Sequence, residues 1–147
     1  MKLTRYTDYS LRVLMHLAAQ PERVWSIAEM AQAHRISENH LMKVVFELGR
    51  AGLLKTTRGR GGGVALARPA ADIRVGDVVR LTEGDCALVD CTGCVLAPGC
   101  RLTGLLGAAR RAFYAVLDGQ TIGDLAGTSS GQPPPIAYAA GTGSAAT

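Results

Sequence analysis

Apolar residues recur with a helical period in three successive stretches at the start of the chain. Leu11, Leu14, Met15 and Ala18 stand at i, i+3, i+4 and i+7, which predicts one amphipathic helix that Pro21 terminates. Ser26 followed by Glu29 reads as a capping box, in which each side chain satisfies a backbone N–H that the first turn leaves unpaired. A second helix starts there, with Ile27, Met30 and Ala31 facing inward. Ser37 opens a third, whose core stripe is Leu41, Val44, Val45 and Leu48 and which Gly52 is placed to end. The rhythm then changes. Residues 53–57 and 64–67 read as two short strands around a tip, Arg58-Gly59-Arg60-Gly61-Gly62-Gly63.

Residues 72–83 predict a fourth helix with Val75, Val78, Val79 and Leu81 on its apolar side. The longest stripe follows, Leu102, Leu105, Leu106, Ala109, Phe113, Val116 and Leu117, on a helix over residues 101–118. The fold class is therefore mainly α with a small β-wing. A winged helix-turn-helix occupies residues 1–70; residues 71–126 carry a connecting helix, a cysteine loop at 86–100 and a long dimerisation helix. A helix this long on so small a body needs a surface to cover it. A second copy of the chain is the expected cover, and packing within the chain is the alternative.

Charge sharpens the division. Residues 1–80 hold 13 Lys+Arg against 7 Asp+Glu, whereas residues 81–147 hold 3 against 5. From Arg50 to Arg68 there are five basic residues and no acidic one. A helix-turn-helix places its second helix in the major groove of double-stranded DNA, and the turn here falls at residues 33–36. Ser37, Asn39, His40 and Lys43 then become candidate DNA-binding residues on that helix, with Arg58 and Arg60 on the wing. The competing reading of Asn39 and Lys43 is a solvated helix face. The glycine-rich tip is not a phosphate-binding loop, because no Lys-Ser/Thr follows it and no helix begins there.

Composition excludes other classes. A 147-residue chain with 48% hydrophobic content can bury a core, and no apolar run reaches membrane-spanning length, so no membrane association is expected. The first residues lack the apolar region of a secretory signal, which makes the expected compartment cytoplasmic, where disulfides are rare. Residues 127–147 carry no charge and are rich in Gly, Ala, Ser, Thr and Pro, the composition of a disordered tail. No nucleophile–base arrangement or paired carboxylates are visible, and the chain is not expected to be an enzyme.

All four cysteines lie between Cys86 and Cys100, as Cys86-x4-Cys91-x2-Cys94-x5-Cys100 with Gly93, Pro98 and Gly99 among them. Four thiols so close together can converge on one soft metal centre, and thiolates select zinc or an iron–sulfur cluster. Buried structural cysteines and a bare thiol switch are the competing readings.

Together these features resemble the Rrf2 superfamily of winged-helix iron–sulfur regulators. The likeness runs from Met1 to about Leu125 and is carried by Leu3-Thr4-Arg5-Tyr6-Thr7-Asp8-Tyr9, Ser37-Glu38-Asn39-His40-Leu41-Met42-Lys43, the Arg58 to Gly63 tip, Ile73-Arg74-Val75-Gly76-Asp77-Val78-Val79-Arg80, Leu88-Val89-Asp90-Cys91 and Cys100-Arg101-Leu102. The nitric-oxide-sensing branch is the nearer. The resemblance implies a homodimeric repressor in which Cys91, Cys94 and Cys100 hold a cluster, 4Fe–4S in preference to 2Fe–2S, and nitric oxide at the cluster releases DNA. It also implies that Asp8 of the partner subunit is the fourth ligand, with Cys86 as the alternative. Relatives that regulate cluster assembly use a histidine three residues after the last cysteine, where this chain has Thr103. An iron-, oxygen- or redox-sensing 2Fe–2S regulator stands as the second reading, and an electron-transfer or cluster-carrier protein as a third.

Overall fold

The computed structural model describes residues 2–84 and 88–127. Three helices open the chain: α1 (Arg5–Ala19), α2 (Ile27–His34) and α3 (Glu38–Arg50). Each starts at a side-chain cap. Thr4 accepts from the Thr7 N–H, Ser26 and Glu29 form the reciprocal capping box, and Ser37 accepts from the His40 N–H. Arg35, in the left-handed conformation at φ 55°, turns the chain between α2 and α3.

The wing is a two-stranded antiparallel sheet, β1 (Leu54–Thr57) and β2 (Gly63–Leu66), in register from Leu54 opposite Leu66 to Thr57 opposite Gly63. Its base is fixed by an isolated bridge in which Trp25 and Val64 exchange N–H···O bonds of 3.1 and 2.7 Å. That bridge explains the glycines at the foot of β2. A Cβ on Gly63 would come within 2.5 Å of the Trp25 carbonyl oxygen, and one on Gly62 would overlap the Thr57 carbonyl.

After a single 3-10 turn at Ala70–Asp72 come α4 (Val75–Glu83), α5 (Leu102–Asp118) and α6 (Ile122–Leu125). The connecting helix thus starts at Val75 and not at residue 72, because Pro69 sets up the short turn first. The four-residue α6 was not expected from the pattern. It is nevertheless anchored: Thr121 and Asp124 form a second capping box, Ile122 N–H donates to the Ile73 carbonyl at 2.8 Å, and Ile122 is fully buried.

α1 is the hub, packing on α3, α4 and α6. Helices on several sides draw in Val13, Leu14, Leu17 and Ala18, and leave Leu11 and Met15, members of the expected stripe, only half-buried. One core continues from α1–α3 through Ile73, Val75, Val78 and Val79 to Ile122. Leu81 departs from the expected inward stripe of α4 and is 49% exposed. α5 has no buried residue. Leu106, Phe113 and Leu117 are half-covered, and Leu102, Leu105 and Val116 stand in the open. Among the described residues no helix is long and apolar enough to cross a membrane. The expected tail, apart from Gly127, lies outside the described residues, as does Cys86.

Candidate nucleic-acid interface and cysteine loop

The core stripe of α3 leaves Asn39, Lys43 and Arg50 on the opposite, solvent-facing side. Ser37 and His40 are committed to each other. Beyond the cap, the Ser37 hydroxyl lies 2.9 Å from His40 Nδ1, which holds the first turn of the helix in one form. Beside this turn, Arg5, Tyr6 and Tyr9 of α1 face His40, Lys43 and Glu47 of α3 across a surface cleft. Burial first, then the charge of Glu47, raises the Tyr6 hydroxyl above its ordinary pKa, so it stays a protonated donor. At the wing tip Arg58 and Arg60 are exposed, spaced by Gly59 and Gly61 in left-handed conformations at φ 97° and 78°. α3 and the wing thus present cations on exposed surface, and Asn39 adds an amide that can donate and accept at a base edge.

Among the described residues of the loop between α4 and α5, the backbone hydrogen bonds form short-range turns. Asp90 accepts from the Thr92 N–H at 2.9 Å, and that interaction keeps the Asp90 carboxyl below its ordinary pKa. Cys94 N–H donates to the Cys91 carbonyl at 3.2 Å, Ala97 to Cys94 at 3.1 Å, and Cys100 to Ala97 at 3.4 Å. Gly93, at φ 70°, supplies the left-handed residue inside the first of these turns. Cys91, Cys94 and Cys100 are free thiols, the first two exposed, and Val95 and Leu96 beside them are 92% and 68% exposed. Among the described residues no three His, Cys, Asp or Glu side chains gather as metal ligands within the chain. Asp8 is engaged elsewhere, accepting from Arg12 Nε at 2.8 Å on the outer face of α1. The donor set still suits a soft cluster: three thiols free of disulfides within ten residues of one loop.

Two arrangements near these sites were not legible in the sequence. Glu83, the last residue of α4, accepts from Thr4 N–H at 2.7 Å, Thr4 Oγ1 at 3.0 Å and Thr7 Oγ1 at 2.5 Å. Burial pushes its carboxyl up, but these bonds outweigh it and hold the pKa below the ordinary value. The second is a pair of histidines between α1 and α2. His34 Nε2 lies 3.1 Å from His16 Nδ1, and the His16 ring packs edge-on to Trp25 at 4.2 Å between centroids. Trp25 is in turn covered by the Arg23 guanidinium, 3.6 Å from its ring centroid. Only the even spacing of Asp8, Arg12 and His16 on one face of α1 could have hinted at a polar seam there.

The sequence pattern of the Rrf2 family, described as an iron-dependent transcriptional regulator, matches residues 3–128. The transcriptional regulator NsrR of Bacillus subtilis is 49% identical over 131 residues, covering 85% of this chain and 90% of that protein. Among solved structures, CymR, the global cysteine regulator of B. subtilis, superposes with a TM-score of 0.74 at 32% identity, covering 88% of this chain and 98% of that one. IscR of T. potens superposes with a TM-score of 0.73 at 27% identity, covering 87% and 88% of the two chains.

Proposed function

The chain belongs to the Rrf2 family of transcriptional regulators, and from that premise we propose that it represses transcription as a homodimer on operator DNA and responds to nitric oxide through an iron–sulfur cluster. It is a winged-helix DNA-binding regulator. The observation that carries the sensing reading is the position of the free thiols Cys91, Cys94 and Cys100. They sit on a locally bonded loop between α4, clasped to α1, and α5, whose apolar face is open.

Those three cysteines would hold the cluster, 4Fe–4S in preference to 2Fe–2S. Asp8 from the second copy would be the fourth ligand, and Cys86, outside the described residues, the alternative. When bound, the cluster supplies iron that reacts directly with nitric oxide. The rest of the response belongs to the chain. A loop fixed by its own turns can change form at low cost, and Glu83 transmits that change to Thr4 and Thr7 at the start of α1. Because α1 packs on α3, a displaced α1 re-aims the helix that carries Asn39 and Lys43. A difference of about 3 kcal/mol between the DNA affinities of two states is a more than hundredfold difference in Kd, enough to empty a well-occupied operator. The open face of α5 is where a second copy would fit, placing two such helices on a two-fold operator.

The test is anaerobic. Protein with iron and sulfide quantified is titrated with nitric oxide while its binding to a selected operator duplex is followed by fluorescence anisotropy. Release at stoichiometric nitric oxide supports the reading. An isotherm unchanged after full reaction of the iron refutes nitric-oxide sensing and leaves DNA binding standing.

A further inference from the structure

We propose that Met42 and Phe46 form an apolar patch on α3 that recognises thymine C5-methyl groups in the major groove of the operator, adding a specificity element to the polar contacts. This rests on the DNA-binding reading above. α3 turns Leu41, Val44, Val45 and Leu48 inward. At about 100° per residue, Asn39, Lys43, Phe46 and Arg50 then fall close to the line opposite that core, with Met42 on its edge one turn before Phe46. Met42 is half-exposed at 48% and Phe46 more open at 63%. A phenyl ring at the centre of an otherwise polar face, with Met42 beside it, offers apolar surface to whatever meets that face.

Charge decides what that is. Lys43 and Arg50 flank the patch; the Arg50 guanidinium carbon lies 5.9 Å from the Phe46 ring centroid, and Arg50 Nη1 lies 3.5 Å from Glu47 Oε2. The exposed Arg58 and Arg60 stand on the neighbouring wing. An anionic partner is favoured over an apolar protein surface, and two side chains are too small a patch for a protein interface. Duplex DNA is the anionic partner whose groove displays methyl groups, one on each thymine. The reach also fits. Asn39 and Phe46 are separated by about 10 Å along the helix axis, within a groove about 12 Å wide.

The test uses the full-length protein and the duplex it selects from random sequence. Thymines are replaced by deoxyuridine, one symmetric pair at a time, which removes only the methyl. At one or more positions the wild type should weaken by about fourfold per methyl removed. Met42→Ala and Phe46→Ala, melting like the wild type, should bind the thymine duplex more weakly and lose that discrimination, and Phe46→Leu should keep part of it. Such a cycle isolates the methyl recognition from any change in duplex shape. Wild-type indifference to every replacement overturns the proposal, and so does undiminished discrimination in both alanine variants. Absence of any sequence-selective binding by the wild type overturns the DNA-binding reading together with it.

Discussion

The hydroxyl of Thr7 lies 2.5 Å from the carboxylate of Glu83 and joins the first turn of α1 to the last residue of α4 across 76 positions of sequence. Thr7 is fully buried, and its hydroxyl also meets Thr82 Oγ1 at 2.8 Å. The hydrogen bond therefore lies in the seam between the two helices, and the negative end of a side chain sits at the positive end of α1.

Glu83→Gln should lower stability at pH 7 by about 1 kcal/mol, because it exchanges charge-assisted acceptance for neutral hydrogen bonds. The folded pKa of Glu83 is depressed from its ordinary 4.5, so its contribution is complete above that value and disappears as pH falls through the folded pKa. Urea unfolding at pH 7 and again below pH 4 checks this. The gap between wild type and variant should close on the acidic side, and a gap that persists there assigns the loss to shape and not to charge.

Local features of the fold were readable from the sequence because they depend on neighbours. The Ser26–Glu29 capping box, the Ser37 cap and the two wing strands each involve partners no more than twelve residues apart; the caps formed where expected and the strands within one residue of the expected bounds. The Thr7–Glu83 hydrogen bond joins residues whose proximity follows only from packing α1 on α4. α6 is too short to show a period and is anchored by Ile73, far back in the chain. At the candidate site, residue types were legible and their engagement was not. Ser37 and His40 hydrogen-bond each other, and Asp8 pairs with Arg12. The exposed Phe46 falls outside the apolar period of α3, which marks only the residues that turn inward.

The histidine pair gives a second acid-side dependence. Burial is the main cause lowering both pKa values from 6.5, aided at His16 by the charges of His34 and Arg23 and at His34 by Arg12, against which Asp8 works. A histidine with a depressed folded pKa takes up its proton more readily when unfolded. Stability is thus full above pH 6.5 and falls as pH drops from there towards the folded values. Unfolding measured from pH 7.5 to 5 should show this slope, and His16→Gln combined with His34→Gln should flatten it. An equal slope in the double variant would place the effect elsewhere.

Gly63→Ala should damage the wing more than the core. The added Cβ meets the Trp25 carbonyl oxygen at 2.5 Å, so the Trp25–Val64 bridge has to open. The expected cost is about 1–3 kcal/mol, the range for forcing a side chain into a strained backbone position. DNA affinity should fall with it, because the tip loses its fixed base. Thermal melting beside anisotropy with operator DNA measures both, and unchanged affinity would detach the wing's position from binding.

Arg58→Ala and Arg60→Ala should act differently, since the two guanidinium groups are exposed and hold no part of the fold. Melting should stay within about 0.5 kcal/mol of wild type. Affinity should fall for specific and non-specific duplexes alike, and the slope of log K against log salt should flatten by about 0.9 for each phosphate deprived of its guanidinium. A salt series with the double variant reads the slope directly; one that matches the wild type removes the wing tip from the interface.

The ligand set gives the last prediction. If Cys91, Cys94 and Cys100 hold the cluster, replacing any one by Ala should lower iron and sulfide content severalfold in anaerobic protein, since a soft iron site loses one of its thiolates. Asp8→Ala should remove a harder and weaker donor: iron is retained but exchanges faster with chelator, and the visible spectrum shifts. Its salt bridge with Arg12 is half-exposed, so folding should change by less than about 1 kcal/mol, and any loss of iron reports ligation and not unfolding. Cys86→Ala separates the two possible fourth ligands. Full iron with wild-type release kinetics in that variant, together with faster release in Asp8→Ala, assigns the position to Asp8. The reverse pattern assigns an all-cysteine set and leaves Asp8 as the partner of Arg12 on α1.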